Sequence, residues 1–406
     1  MRKLLTSLAT ILIVSACSHT SINLNNTSNH KQSSPLTDEF IQQIKSKNYI
    51  ALTPDEKRKL VLAHQVAFQA LDEKIRDPFI TKGPDNFYYL TGTTAGSHWG
   101  DTVGVRLWRS KDLANWQDLG FVWQLNKEGK AQNSWHHTKP VKRPDFINPV
   151  AIWAPEIHYM KGTWWIPHCI NGGGHGLLKS KTGLVQGPYE ALPAMMDKLI
   201  DAHLFKEGED IYYAWQADYI AKMNSDMTAL AEPATKLQHN GKHEMAYEGI
   251  LIIKFGDKYL HIGSGRYGYE PSDSYDLFYA VSNNLKGPYG KRRMMIKNAG
   301  HGNIFKGPNG KWWSTAFDHE YTTKFDQKNK WSLWLVPIDI KETEKDIIVD
   351  VKDARFTPTP IDQYFIDRLS VTGKPKAWHG IAPWTKPNEL EAAKTQKAKH
   401  KKLQMH

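Results

Sequence analysis

Five acid or imidazole side chains stand near the heads of five similar segments in this 406-residue chain: Asp77, Glu156, Asp201, Glu248 and His301, separated by 79, 45, 47 and 53 residues. The segments are IRDPFITKGPDNFYYLTGT from Ile75, IWAPEIHYMKGTWWIPHC from Ile152, LIDAHLFKEGEDIYYAW from Leu199, YEGILIIKFGDKYLHIGSG from Tyr247 and GHGNIFKGPNGKWWSTAF from Gly300. Carboxylates that face one another repel, so one is driven to keep a proton while another stays ionised. If folding gathers the five heads, the set can supply a general acid and a general base. A turn or cap accounts for any one of these residues alone, whereas the same position in five repeats asks for a common purpose.

The elements that must position them can be read from the same segments. Each has a polar or small head, about four apolar residues, a Gly/Asp/Asn turn and an aromatic-rich strand such as Phe87-Tyr88-Tyr89 or Trp312-Trp313. That is a β-hairpin, and intervals near 45 to 50 residues match a four-stranded propeller blade. Outer strands follow in Val105–Ser110 and Phe278–Ser282, and two blades close on Gly187-Pro188-Tyr189 and Gly287-Pro288-Tyr289. The expected fold is all-β, a five-bladed β-propeller with a short N-terminal helical extension. Its innermost strands line a channel, so the heads converge at one mouth. The long first interval holds an insertion over about 124–148, where a rim loop would carry Trp135, His136 and His137.

The heads IRDPFI, WAPEIHY, IDAHLF, EGI and GHGNIF, in this order, resemble glycoside hydrolase family 43, five-bladed propellers that act on arabinofuranosides, xylosides and some galactosides with inversion. The resemblance covers about residues 72 to 350. It implies that Asp77 is the general base activating water, Glu248 the general acid, and Asp201 the carboxylate that tunes the acid and helps orient substrate. Glu156 is assigned to positioning or subsite polarity. His301 matches a channel histidine that in many members lies near a bound calcium ion or water, although the chemistry itself requires no cofactor. An inverting pair stands about 6.5–9.5 Å apart, a gap that blades one and four can span. Glu248 should be pushed up by the charge of Asp201, and Asp77 should stay ionised. The sequence departs from the family at Gly249-Ile250, where Pro usually follows Gly, and at Asp201-Ala202, where Pro often follows Asp. His203 is thereby left either facing the pocket or packing beneath it.

Sugars stack their C–H faces on aromatic rings, and planar Arg holds hydroxyl, carboxylate or sulfate groups. Trp153 is the first choice for such contact, followed by Trp99, Trp135, Trp215 and Arg266; packing between blades is the alternative for each.

Composition fits this reading. Hydrophobic residues make up 40% and charged residues 23%, with 15 Trp, 17 Tyr and 14 Phe, as in a soluble globular protein. Residues 1–17, MRKLLTSLATILIVSAC, have a basic start, an apolar run too short for a bilayer and small residues before Cys17. The ending resembles a bacterial lipobox, which implies lipidation of Cys17 and a cell-envelope location, lipid-anchored or secreted. Export separates the mature chain from the nucleoid, so the net charge of +11 is not read as a nucleic-acid footprint. The expected parts are the signal (1–17), a Ser/Asn-rich tether (18–36), a helical preface (37–71), the propeller (72–355) and a C-terminal extension with a basic tail (356–406). Cys169 is then a lone thiol, expected to be buried and structural. The expected partners are an oligosaccharide or polysaccharide substrate and, through lipid, the membrane. Two alternatives compete: a surface glycan-binding lipoprotein without catalysis, and a retaining enzyme of the invertase and levanase kind. The latter carries an Asn-Asp-Pro-Asn-Gly stretch that is missing here, and RDP opens the first blade instead of a later one.

Overall fold

The computed structural model describes residues 36–46, 52–94, 102–138, 150–265, 275–317 and 332–368. Five antiparallel sheets follow one another along the chain. Blade one consists of strands Arg76–Lys82, Tyr88–Thr93, Gly104–Ser110 and Gln117–Gln124, and blade three of Ala202–Glu207, Asp210–Trp215, Tyr219–Lys222 and Thr235–Lys236. Blade four runs Glu248–Phe255, Lys258–Gly265, Asp276–Ser282 and Arg293–Ile296. In blade two the innermost strand is broken into Ile152–Trp153 and His158–Met160, both paired with Thr163–Ile170. The break holds Ala154 to Ile157, and so Glu156. The five-bladed propeller expected from the repeats is the observed fold.

The apolar residues of the hairpins form five buried clusters, one at each junction between consecutive blades. Val105, Leu107 and Trp123 of blade one meet Ile152, Trp164 and Ile166 of blade two, while Ala214 and Ile220 of blade three meet Ile252 and Phe278 of blade four. Both faces of a sheet are covered in this way, which explains strands that are buried along their whole length, such as Tyr88–Thr93. The two Gly-Pro-Tyr endings are equivalent in space as well: Tyr189 donates to Val185 O and Tyr289 to Leu285 O, both at 2.8 Å.

The ring closes differently from the sequence expectation. Helix α1 spans Asp38–Ser46 and α2 spans Pro54–Ala63, the latter with Thr53 and Glu56 in a reciprocal capping box. The helix-compatible run to Leu71 stops early, at His64, whose left-handed backbone (φ 54°) caps α2. Residues Phe68–Lys74 are instead a strand paired with Ser332–Glu342 of blade five, Phe68 opposite Leu335. Strand Ile347–Val351 pairs with the other end of the same partner. Blade five thus takes its outer edge from both sides of the propeller sequence, and the propeller begins at Phe68 instead of residue 72. Phe68 is fully buried, with its ring edge-on to Trp313 at 6.0 Å. Helix α3 (Pro360–Ile366) packs Phe365 and Ile366 against the cluster between blades three and four.

Candidate active site

At each head, or within two residues of it, stands a residue with left-handed backbone: Asp77 (φ 50°), Ala154 (41°), Asp201 (57°), Gly249 (69°) and Gly300 (68°). Such a conformation costs about 1–2 kcal/mol for a residue with a Cβ, with Asp among the tolerant types. Asp77, Ala154 and Asp201 bear a Cβ and hold this conformation at that cost, which marks a constrained site. At Gly249 the constraint is steric as well, because a Cβ would stand 2.7 Å from His301 Cδ2 and also crowd Ser264 Oγ.

Four of the heads, Asp77, Asp201, Glu248 and His301, meet at one mouth, and they are tied to neighbouring blades. Asp77 Oδ2 accepts from Thr93 Oγ1 at 2.7 Å, and Thr93 Oγ1 accepts in turn from Ala154 N–H of blade two at 2.7 Å. Asp201 Oδ2 accepts from Gly249 N–H of blade four at 3.1 Å. Glu248 Oε1 accepts a hydrogen bond from Tyr275 OH, and Tyr275 O accepts from Gly300 N–H of blade five at 2.8 Å. His301 Nδ1 lies between two carboxylates, 3.4 Å from Asp201 Oδ2 and 3.7 Å from Asp77 Oδ1. Asp201 and His301 are buried; Asp77 and Glu248 are partly exposed.

Burial pushes the Asp201 carboxyl up to about 7, with the charges of Glu248 and Asp77 adding to the rise and His301 opposing it. Glu248 is also raised, first by burial and then by Asp77, against Tyr275's hydrogen bond and His301. Loss of water therefore outranks the like-charge effect that the sequence suggested. His301 is raised: burial works against its charge, but Asp201, Asp77 and Glu248 outweigh it. Calcium takes six to eight oxygens, whereas the group facing Asp77 and Asp201 is a ring nitrogen. The donors around His301 do not fit a directly coordinated calcium, and no step below uses one.

One layer down, Glu156 Oε2 accepts from His158 Nε2 at 2.7 Å and from His203 Nδ1 at 2.8 Å. Burial alone would raise the Glu156 carboxyl; His203 and His158 outweigh it and hold it at about 2. Glu156, His158 and His203 also form a buried group of three metal-ligand types. Around a tetrahedral zinc with bonds of 2.0–2.1 Å, however, donor atoms stand about 3.3 Å apart. The observed separations are hydrogen bonds. His203 packs beneath the pocket, which settles the two alternatives left by Ala202.

The aromatic candidates divide. Trp153 is partly exposed at the start of blade two, with its carbonyl 3.3 Å from Cys169 Sγ. Trp215 is 2% exposed, stacked on Tyr219 at 5.5 Å and opposite Ala202 in the sheet, so it packs the junction of blades two and three and cannot touch a sugar. Trp135 stacks on His136 at 4.0 Å and lies against Gly176, which makes it a packing residue too. The expected rim histidine His136 is buried, with Nε2 at 2.7 Å from His168 Nε2 and its pKa lowered by burial to about 2. Trp99, Arg266 and Cys17 lie outside the described residues. Cys169 is buried as expected, but it stands beside the site, 3.6 Å from Asp201 Oδ1. Sequence reasoning missed Thr93, at the end of a neighbouring strand, and Tyr275, just before one, neither of which is at a repeated head.

The model of the family Glycosyl hydrolases family 43 matches residues 70–341. Among solved structures, an exo-1,5-alpha-L-arabinanase from a bovine ruminal metagenomic library superposes with a TM-score of 0.52 at 16% identity, covering 68% of this chain and 97% of that one. An endo-1,4-beta-xylanase from Bacteroides thetaiotaomicron gives 0.51 at 18% identity (69% and 94%), and the native arabinanase Arb43A of Bacillus subtilis gives 0.51 at 18% (66% and 95%). No curated protein matches the sequence.

Proposed function

The chain belongs to glycosyl hydrolases family 43 and is a glycosidase, and from that premise we propose that it cleaves arabinofuranosidic, xylosidic or galactosidic bonds of plant or algal glycans with inversion. The observation that carries this reading is the convergence of Asp77, Asp201 and Glu248, from three different blades, around His301. Asp77, held by Thr93, is the general base that draws a proton from water on one face of the sugar. Glu248 is the general acid. Tyr275 donates to Oε1, which leaves the other oxygen to carry the proton to the departing glycosidic oxygen. Asp201 and Glu248 are both raised, so between them they keep a proton near neutral pH. His301 balances the remaining charge and spaces Asp77 from Asp201. Trp153 is the proposed stacking surface. Arabinanases and a xylanase among the structures of like fold make arabinan and xylan the first substrates to try.

Product analysis on arabinan, xylan, galactan and sulfated algal oligosaccharides tests this reading. Asp77→Asn and Glu248→Gln should each lower turnover by about 10²–10⁴-fold on whichever glycan the wild type cleaves. Full activity in either variant would remove that residue from the mechanism.

We also infer, from residues 1–17 alone, that Cys17 carries lipid and holds the enzyme in the cell envelope. Cys17→Ala should move the protein from the membrane to the soluble fraction and abolish incorporation of labelled palmitate; unchanged membrane retention without label in the wild type would refute it.

A further inference from the structure

Glu156 and the two histidines that donate to it are buried together, 5%, 7% and 3% exposed. His158 belongs to its own blade and His203 to the next, so one carboxylate oxygen joins blade two to blade three. His203 follows Asp201 by two residues and is the second residue of the strand Ala202–Glu207. Its other ring nitrogen, Nε2, is buried without a hydrogen-bond partner among the described residues, and the residue lines a channel cavity of about 400 Å³. Among the described residues, the bond to Glu156 is thus the one polar tether of this imidazole. Blade one closes over the pair, with Phe79 4.9 Å from the His158 ring and 6.4 Å from the His203 ring.

We propose that Glu156 is a positioning residue: by tying His158 to His203 it fixes the strand start of blade three and so sets where Asp201 stands among the reacting groups. The role rests on the hydrolase reading above for its consequence, but not for its geometry. Asp201 holds a left-handed backbone and reaches both Gly249 N–H and His301. A strand start free to shift by an ångström would misplace it, and misplacements of that size cost up to about 10²-fold in rate.

The choice of variants follows from which nitrogen is used. An asparagine amide nitrogen occupies the place of Nδ1, the atom His203 employs, whereas leucine fills the volume with no donor. His203→Leu should lower kcat by roughly 10- to 100-fold with KM changed by less than about twofold, and His203→Asn should recover most of the loss. If His203→Leu does not fold, His203→Gln takes its place, since its amide lies one carbon too far. A raised KM at unchanged kcat, or an Asn variant as impaired as the Leu variant, would overturn the proposal. So would one tightly bound zinc per wild-type chain that the Leu variant loses, because the three groups would then be a metal site.

A second arm needs no substrate. In protein labelled with ¹⁵N-histidine, the slowly exchanging ring N–H protons should include those of His158 and His203, the latter assigned by its loss in His203→Leu. If the wild type cleaves no glycan while both protons are present, the reading of function fails and the tether stands. Absence of the protected protons sinks the tether whatever the activity.

Discussion

At the mouth of the channel, Glu248 and Asp201 are raised chiefly because the fold removes them from water, and the charge of a neighbour comes second. Tyr275 works against that rise at Glu248, since a donor to the charged form favours ionisation. Tyr275→Phe should therefore raise the acid further. The acid must be protonated to act, so activity falls as pH rises through its pKa. The alkaline limb of kcat/KM should move to higher pH in the variant, as a pH-rate profile can show; a limb that moved down would contradict the assignment of Glu248. Much of this site was legible because chemistry-bearing residues recur at one place in five repeats. Thr93 and Tyr275 were not, because their contacts depend on the register between strands, which a repeat pattern does not encode. Trp153, Trp135 and Trp215 were legible as aromatic residues, but whether an indole faces the mouth or a neighbouring blade depends on sheet geometry.

At the scale of the strand, a left-handed residue stands at each head or within two residues of it. Asp77 precedes a proline, which bars right-handed helical backbone there, and Gly249 lies where any side chain would strike His301. Gly249→Ala should cost about 1–2 kcal/mol through backbone strain alone and lower kcat roughly tenfold through displacement of His301. Thermal unfolding and steady-state kinetics on the same preparation would check both; a variant as stable and as active as wild type would show that this turn does not set the site. The departure from the family at Ile250 has a local reason, since its N–H donates to Gln216 O at 2.9 Å, a bond that proline cannot make.

For the whole molecule, five junctions and one closure make the ring. The hairpins and their order could be read from the sequence because each repeat carries its own turn and aromatic strand. The closure could not, because Phe68–Lys74 follows directly on α2 in a run whose apolar spacing also suits a helix; only the partner strand, more than 250 residues away, decides between them. The central claim, that this ring sets an acid on one side of a glycosidic bond and a water-activating base on the other, has a stereochemical signature. Proton NMR during hydrolysis of the first glycan found to be cleaved should show the anomer of opposite configuration to the bond broken, before mutarotation. Retention in the first-formed sugar would contradict the account.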